Sequence, residues 1–251
     1  GVLVGKASGV HVLHNHIHDL YYSGVSVGWT WGYQEYHTFA NVIEWNHIHN
    51  IGQGELSDMG AVYTLGKQPG TRIRFNHIHH VDARCYGGWG IYPDEGSSDI
   101  LIESNHVHDT KYDPLSIHYA RDLTVRNNIF AFARNDALVG LSRLEPHIAA
   151  TVEGNIIVTD GVPVGRRPYN APCPAEGLAM DHNLYFDLSG KRLRFNGQSL
   201  TAWRKLGRDR HSVVADPGFV DARQRDFRFK PGAAALERGF IPWDTTRVGP
   251  R

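Results

Sequence analysis

The chain has only two cysteines among its 251 residues and carries no excess of either charge. Cys85 and Cys173 are too few for a disulfide framework, and the sequence leaves open whether they pair. The 26 basic and 26 acidic residues balance, which argues against a general binder of nucleic acid or of membrane surfaces. No apolar run approaches the roughly 18 residues of a membrane-spanning helix. The first residues already have a strand-and-turn pattern, so we expect a longer protein whose N-terminal coils are missing here.

A short histidine-rich motif recurs four times near the start of the chain. NHIH occupies residues 15–18, 46–49 and 76–79, and NHVH occupies residues 105–108, at spacings of 31, 30 and 29 residues. Weaker forms follow as NNIF from Asn127 and GNII from Gly154. Such a period, with glycine-rich joints, is typical of a solenoid whose coils stack on one another.

Each period contains three short runs in which apolar and polar residues alternate, which favours strands over helices. We therefore predict an all-β fold, a parallel β-helix with three short strands per coil, about 22–31 residues per coil, and a C-terminal cap. One apolar column is expected to point inward: Ile17, Ile48, Ile78, Val107, Ile129 and Ile156. A column of asparagines is expected at one bend of every coil, where the stacked amides hydrogen-bond to one another and the residue tolerates left-handed backbone. Its members are Asn15, Asn46, Asn76, Asn105 and Asn127.

Eight of the 16 histidines flank the inward column within the four motifs. A His-x-His pair on a strand can chelate a metal ion. Repetition alone also produces such columns, and no carboxylate or cysteine accompanies every step. We favour a structural ladder and predict no metal and no cofactor.

The repeat loosens after residue 160. We divide the chain into residues 1–160, the regular coils, and residues 161–251, looser final coils, a short helix and the cap, all in one domain. The helix is expected over Ser199–Gly207, with a serine N-cap and a glycine stop. Ala215–Phe219 and Asp226–Gly232 are expected to cover the last coil.

The largest departure from regularity runs from Gly54 to Gly96 and combines acids, aromatics and glycines. If Ile91 points inward, Tyr92 and Asp94 point outward, and an outer ledge of Thr64, Asp94 and His118 follows at steps of about 4.8 Å. Aromatic faces beside carboxylates suit a sugar, whose C–H face stacks while its hydroxyls bond to the acids. Paired carboxylates are also the usual apparatus of glycoside hydrolysis.

At these residues the sequence resembles a known group. SDMGAVYTLGKQPGT from Ser57, YGGWGIYPDEGSS from Tyr86, HYARDLTVRNNIFAF from His118 and the DPGF close resemble right-handed parallel β-helix proteins of carbohydrate-active bacteria, and most nearly glycoside hydrolase family 141, with its fucosidase and xylanase activities. The resemblance implies Asp58 and Asp94 as the catalytic acids, in unassigned order. Glu95, Tyr63, Tyr92, Trp89 and His118 would bind the sugar. It also implies a secreted or periplasmic enzyme. Pro93 and the run Leu115–His118 depart from the group's pattern.

The register raises a difficulty for this pair. If Gly60 pairs with Gly90, Asp58 lies about 20 Å from Asp94 along the strand, whereas hydrolases hold their carboxylates roughly 5 to 10 Å apart. Either the loop before Met59 folds over the ledge, or the register differs, or the partner is another acid such as Glu95 or Glu55.

Two other functions stay open. A polysaccharide lyase or epimerase on the same scaffold would need a base and a cation beside a uronate carboxylate, which the acidic ledge disfavours. A non-catalytic carbohydrate-binding solenoid would keep the aromatics and tolerate loss of either Asp. The predicted partner is a carbohydrate, with no nucleic acid and no membrane, and the predicted state is a monomer.

Overall fold

The computed structural model describes residues 1–166 and 177–251, and Cys173, whose pairing the sequence leaves open, lies outside them. The chain forms a right-handed parallel β-helix in which successive coils contribute one strand to each of three parallel sheets. Cys85 is exposed, and within the described residues it forms no disulfide. Among the described residues, no helix is long and apolar enough to cross a membrane.

The strands are numbered in chain order and fall into three stacks. Sheet 1 contains β1 (Val2–Gly5), β4 (Val25–Gly28), β7 (Gly60–Leu65), β10 (Trp89–Pro93), β13 (Leu115–Ile117) and β17 (Val139–Leu141). Sheet 2 contains β2 (His11–Leu13), β5 (Val42–Glu44), β8 (Lys67–Arg74), β11 (Ser97–Glu103), β14 (Ala120–Arg121), β15 (Leu123–Arg126), β18 (Ala150–Glu153) and β20 (Leu178–Asp181). Sheet 3 contains β3 (His16–Leu20), β6 (His47–Ile51), β9 (His77–Val81), β12 (His106–Thr110), β16 (Ile129–Ala131), β19 (Ile156–Thr159), β21 (Leu184–Asp187) and β22 (Val213–Val214).

The asparagine column forms the predicted ladder. Asn76 is fully buried; its amide donates to Oδ1 of Asn105 at 3.0 Å and to the carbonyl of Ile43 at 2.8 Å. The same bonds recur in the neighbouring coils and give each bend a set of buried polar partners. The left-handed backbone falls one residue earlier than predicted, on the residue before each asparagine, as at Trp45 (φ 59°) and Phe75 (φ 55°).

One step of the predicted alignment is wrong. Asn105 continues the ladder through Asn128, not Asn127, and then through Asn155. The inward column is therefore continued by Phe130 and Ile157, because Val107 pairs with Phe130 and Phe130 with Ile157. Ile129 and Ile156, predicted to point inward, face the opposite way.

The reason for this error lies in the C-terminal part of the chain. Ile129 and Ile156 pack with Phe219, Phe227 and Phe240, which cover the outer face of sheet 3. Both faces of the sheet are thus buried there, and the alternation of apolar and polar residues that fixes strand orientation is lost.

The C-terminal segment has two covering parts. Helix α1 (Leu200–Lys205) is capped by the Ser199 side chain, as predicted, and Trp203 joins the interior beside Phe195. The antiparallel pair β23 (Phe219–Asp221) and β24 (Asp226–Phe229), helix α2 (Ala234–Glu237) and the 3₁₀ turn Thr245–Arg247 follow. They run back along the outside of sheet 3 as far as Trp45, whose carbonyl accepts from Gly249.

Candidate functional site

A cleft of about 460 Å³ lies outside sheet 1, over the middle coils. Its walls come from β10, from the loops before β7 and β10, and from the loops that follow β10, β12, β13, β16, β17 and β19. The lining residues are Asp58, Tyr86, Gly87, Trp89, Tyr92, Asp94, Glu95, Tyr112, His118, Asp136, Ser142 and Arg166. Six of the seven residues predicted for the site are among them.

Asp94 follows directly after β10. Ile91 is buried in the interior, so alternation turns Tyr92 outward, as predicted. The backbone N–H of Asp94 donates to the carbonyl of Thr64 at 2.9 Å, which fixes the end of the strand on the neighbouring coil. The hydroxyl of Tyr63 donates to Oδ2 of Asp94 at 2.6 Å and orients the carboxylate.

A folded loop before β7 brings Asp58 into the same cleft as Asp94. Its backbone is left-handed (φ 55°), its N–H donates to the carbonyl of Tyr86 at 3.0 Å, and its carbonyl accepts from the Tyr22 hydroxyl at 2.9 Å. Gly60 pairs with Trp89 rather than Gly90, so the predicted register is also wrong. Because the loop doubles back, the expected separation of about 20 Å along an extended strand does not apply.

Two neighbouring phenols hold the two carboxylates. The Tyr92 hydroxyl donates to Oδ1 of Asp58 at 3.3 Å, and the Tyr63 hydroxyl donates to Oδ2 of Asp94. The two phenol rings lie 4.6 Å apart between centroids. Asp58 and Asp94 therefore face the same cleft from one aromatic floor.

The electrostatics of the cleft follow from burial and from this pairing. Burial, and then the charge of Asp94, raise the pKa of Asp58 above its usual range. Burial raises the pKa of Tyr63 and of Tyr92 far above that of a free phenol, and Asp94 adds to both shifts. The two phenols consequently remain protonated hydrogen-bond donors, and Asp58 holds its proton more strongly than an exposed aspartate does.

The aromatic residues form a packed floor. Trp89 lies 4.2 Å from Tyr92 between ring centroids, and Tyr92 lies 4.6 Å from Tyr63. Tyr63 is buried beneath the cleft and does not line it, so it contacts Asp94 rather than open space. Trp29 extends the floor, 5.3 Å from Tyr63.

The remaining predicted positions divide into two groups. Glu95 and His118 line the cleft, and Glu95 accepts a hydrogen bond from Tyr119 at 3.0 Å. Thr64 is not part of an outer ledge: its side chain is buried and bonds to the Ser97 hydroxyl at 2.9 Å. Glu55 lies in an exposed turn and does not line the cleft.

A charge cluster at one end of the cleft, built around the buried Asp113, was not predicted. Arg166 bridges Oδ2 of Asp113 at 3.0 Å and Oδ2 of Asp136 at 3.2 Å. Burial raises the pKa of Asp113 to about 6, and Arg166 opposes that shift. Gly140 makes room, because a Cβ there would come within 2.0 Å of the Asp113 carboxylate. The sequence gives no periodic signal for this cluster, since the three charged residues come from three different loops.

Tyr86, Tyr112 and Ser142 were also missed. Each lies in a loop or at a strand end, where the repeat does not predict which side chains converge. Clusters of three or more potential metal ligands occur elsewhere in the described residues, on sheet 3 and around Asp181, and none of them includes a residue that lines this cleft.

Comparison with known proteins gives the family. Residues 1–165 match the model of the right handed beta helix region, and the chain belongs to that family. No curated protein matches the chain. Among solved structures, the chain is similar to the catalytic unit of a thermostable GH87 alpha-1,3-glucanase from Streptomyces thermodiastaticus strain HF3-3, at 16% identity and a TM-score of 0.36. That match covers 73% of this chain and 41% of the glucanase chain.

Proposed function

We propose that the chain is a glycoside hydrolase in which Asp58 and Asp94 are the two catalytic carboxylates. The observation that carries this proposal is that two acids line one cleft and are each held by a phenol of the same aromatic floor, Asp58 by Tyr92 and Asp94 by Tyr63. Two acids that face one bound sugar can protonate a leaving oxygen with one member and attack, or activate water, with the other.

The environments of Asp58 and Asp94 suggest which one is the general acid and which one is the nucleophile or base. Asp58 is the proposed general acid, because burial and the neighbouring charge favour its protonated form. Asp94 is the proposed nucleophile or base, since the hydroxyl of Tyr63 holds its carboxylate in one orientation. The division follows the rule that paired carboxylates acquire different roles from different environments.

The proposed substrate is a plant or microbial polysaccharide, or its oligosaccharides, with a fucoside or xyloside linkage, in agreement with the resemblance to family 141. The cleft volume falls within the roughly 300–1,000 Å³ of small-molecule sites. Trp89 and Tyr86 offer aromatic surface to a sugar face, while Glu95 and His118 offer polar groups to its hydroxyls. A monomer that acts outside the cytoplasm is part of the same proposal.

A lyase or epimerase is less compatible with the site. Such an enzyme needs a base to remove a proton and a cation to neutralise a uronate. Burial keeps Tyr63 and Tyr92 protonated, and Arg166, the arginine among the described residues that line the cleft, already bridges Asp113 and Asp136.

The test is hydrolysis of aryl fucosides, aryl xylosides and a polysaccharide panel by the full chain and its variants. We expect Asp58→Asn and Asp94→Asn each to lower kcat/KM at least about 1,000-fold, as loss of a central catalytic group does. Asp122→Asn is the matched control, because Asp122 is an exposed aspartate with the same backbone φ of 55° as Asp58.

The outcomes separate the three functions. Reducing sugar without ultraviolet absorbance identifies hydrolysis, whereas a new absorbing double bond identifies a lyase. Binding to a polysaccharide that survives both substitutions, with no product formed, would overturn the catalytic proposal in favour of a binding solenoid. The anomeric configuration of the first product, read by proton NMR, decides between retention and inversion.

A further inference from the structure

The outer face of sheet 3 carries a second cluster of side chains that could bind a ligand, the histidines of the repeated motif, away from the cleft on sheet 1. The register pairs His16 with His47 and His18 with His49, so the imidazoles of successive coils stack. The rings of His16 and His47 lie 4.9 Å apart and within 5° of parallel. This face therefore presents imidazole nitrogens, which can bind a metal ion when the ring is neutral, at short and regular spacing.

The contacts between coils are diagonal as well as stacked. Nε2 of His16 lies 2.7 Å from Nε2 of His49, so the first histidine of one motif meets the second histidine of the next. Ligand nitrogens of His16, His47 and His49 all lie within 4.8 Å of one another. The diagonal contact recurs between His47 and His79 at 2.8 Å, so the ladder repeats this arrangement and, at its open end, places three ligand nitrogens within reach of one ion.

Coordination geometry fits that convergence. A tetrahedral ion with bonds of about 2.0–2.1 Å to imidazole nitrogen holds its ligand nitrogens about 3.3 Å apart. This spacing lies between the 2.7 Å of the diagonal pair and the 4.8 Å limit of the trio, so small ring rotations would admit an ion. The imidazole that donates in the diagonal contact would move its proton to its other ring nitrogen, because a neutral imidazole keeps one lone pair for a metal.

The histidine face is accessible to solvent at the end formed by the first two coils. His106 and His108 are buried against Phe227, and the C-terminal segment closes that end. His16 is exposed, and His47 and His49 are partly exposed. An ion and its water can therefore reach the trio at the first two coils.

We propose that His16, His47 and His49 form a binding site for a divalent late transition metal of the Zn²⁺ type, with water in the fourth position. Imidazole suits Zn²⁺, Cu²⁺ and Ni²⁺, and the site contains no carboxylate that would favour Mg²⁺ or Ca²⁺. His47 also belongs to a trio with His77 and His79, so the two trios compete for it and one ion per chain is expected at the open end.

The experiment is calorimetric titration of the EDTA-treated full chain with Zn²⁺ in a non-coordinating buffer, and Cu²⁺ electron paramagnetic resonance to count bound nitrogens. We expect one ion per chain, and a loss of affinity of more than about tenfold in both His16→Gln and His49→Gln. The matched control is His37→Gln, an exposed histidine outside the motifs. The melting temperature of each variant in EDTA checks that the fold is intact.

Three results would overturn the proposal. The first is the absence of Zn²⁺ binding by the unmodified chain. The second is binding that persists unchanged in His16→Gln or His49→Gln. The third is loss of the bound ion only in His79→Gln or His211→Gln, which would place it at the inner trio or at the separate cluster of Asp181, His182 and His211. The readout needs no glycosidase activity, so it stands apart from the fate of the proposed function.

Discussion

The hydroxyl of Tyr63 donates a hydrogen bond of 2.6 Å to Oδ2 of Asp94, from one coil of the β-helix to the next. Both side chains are buried, with exposed fractions of 7% and 8%. Tyr63 is thus a supporting residue that orients the carboxylate from beneath. The stack of coils places it there, because β7 and β10 pair Tyr63 with Tyr92 in register.

Tyr63→Phe removes this donor and leaves the packing of the ring in place. We expect kcat to fall about tenfold or more with little change in KM, because an orienting bond acts on the transition state rather than on sugar binding. The free energy of unfolding should fall by about 1–3 kcal/mol, the cost of a buried acceptor left without its partner. Steady-state kinetics and urea titration measure the two effects. Tyr21→Phe, at an exposed tyrosine, is the control, and an unchanged kcat would contradict the role given to Tyr63.

The pKa of Asp58 should depend on Asp94. Burial is the larger cause of its elevation and the Asp94 charge is the second, so Asp94→Asn is expected to lower the Asp58 pKa toward its usual value without restoring it. Carboxyl ¹³C shifts followed across pH report the change directly. In the active chain, activity should fall as pH rises through the Asp58 pKa, because the general acid is then ionised. A pKa of Asp58 that stays the same in Asp94→Asn would show that the two charges are not coupled.

Much of the fold could be predicted because the sequence repeats. The motifs at Asn15, Asn46, Asn76 and Asn105 fix both the coil length and the buried amide ladder, and the structure confirms both. The prediction failed at Asn127, where NNIF offers two asparagines and the outer face is covered by the C-terminal segment rather than by water. Without a solvent side, the pattern no longer shows which isoleucine points inward.

The site was predictable to the extent that it lies on strands or directly after them. Asp94, Tyr92 and His118 follow from alternation along β10 and β13. Asp58 lies on a loop whose fold depends on Tyr22 and Tyr86, and no periodicity describes that path. The cluster of Asp113, Asp136 and Arg166 joins distant loops through charge pairing, a long-range contact that local pattern does not report.

Asp113 should make stability depend on pH in the direction opposite to that of most aspartates. Its pKa in the folded chain, about 6, exceeds the model-peptide value of 3.8 because it is buried, so the folded state holds the proton more tightly. Its stabilising contribution is therefore present below pH 3.8 and is lost as pH rises through about 6, which amounts to about 3 kcal/mol. Asp113→Asn should remove this part of the pH dependence between pH 4 and pH 7. Urea titrations across that range measure it, with Asp122→Asn as the control, and parallel curves for Asp113→Asn and the unmodified chain would refute the assignment.

His106 makes the complementary prediction at acidic pH. Burial against Phe227 and Trp243 lowers its pKa from 6.5 to about 3, so the folded chain favours the neutral imidazole. Its contribution to stability is complete above pH 6.5 and is lost as pH falls toward about 3; at pH 5 the loss is about 2 kcal/mol. His106→Phe cannot be protonated and keeps an aromatic ring against the C-terminal segment, so its free energy of unfolding should fall less between pH 7 and pH 5. Urea titrations in EDTA at the two pH values measure the difference, with His37→Gln as the control. An equal fall in His106→Phe and the unmodified chain would show that this imidazole does not set the acid sensitivity of the covered face.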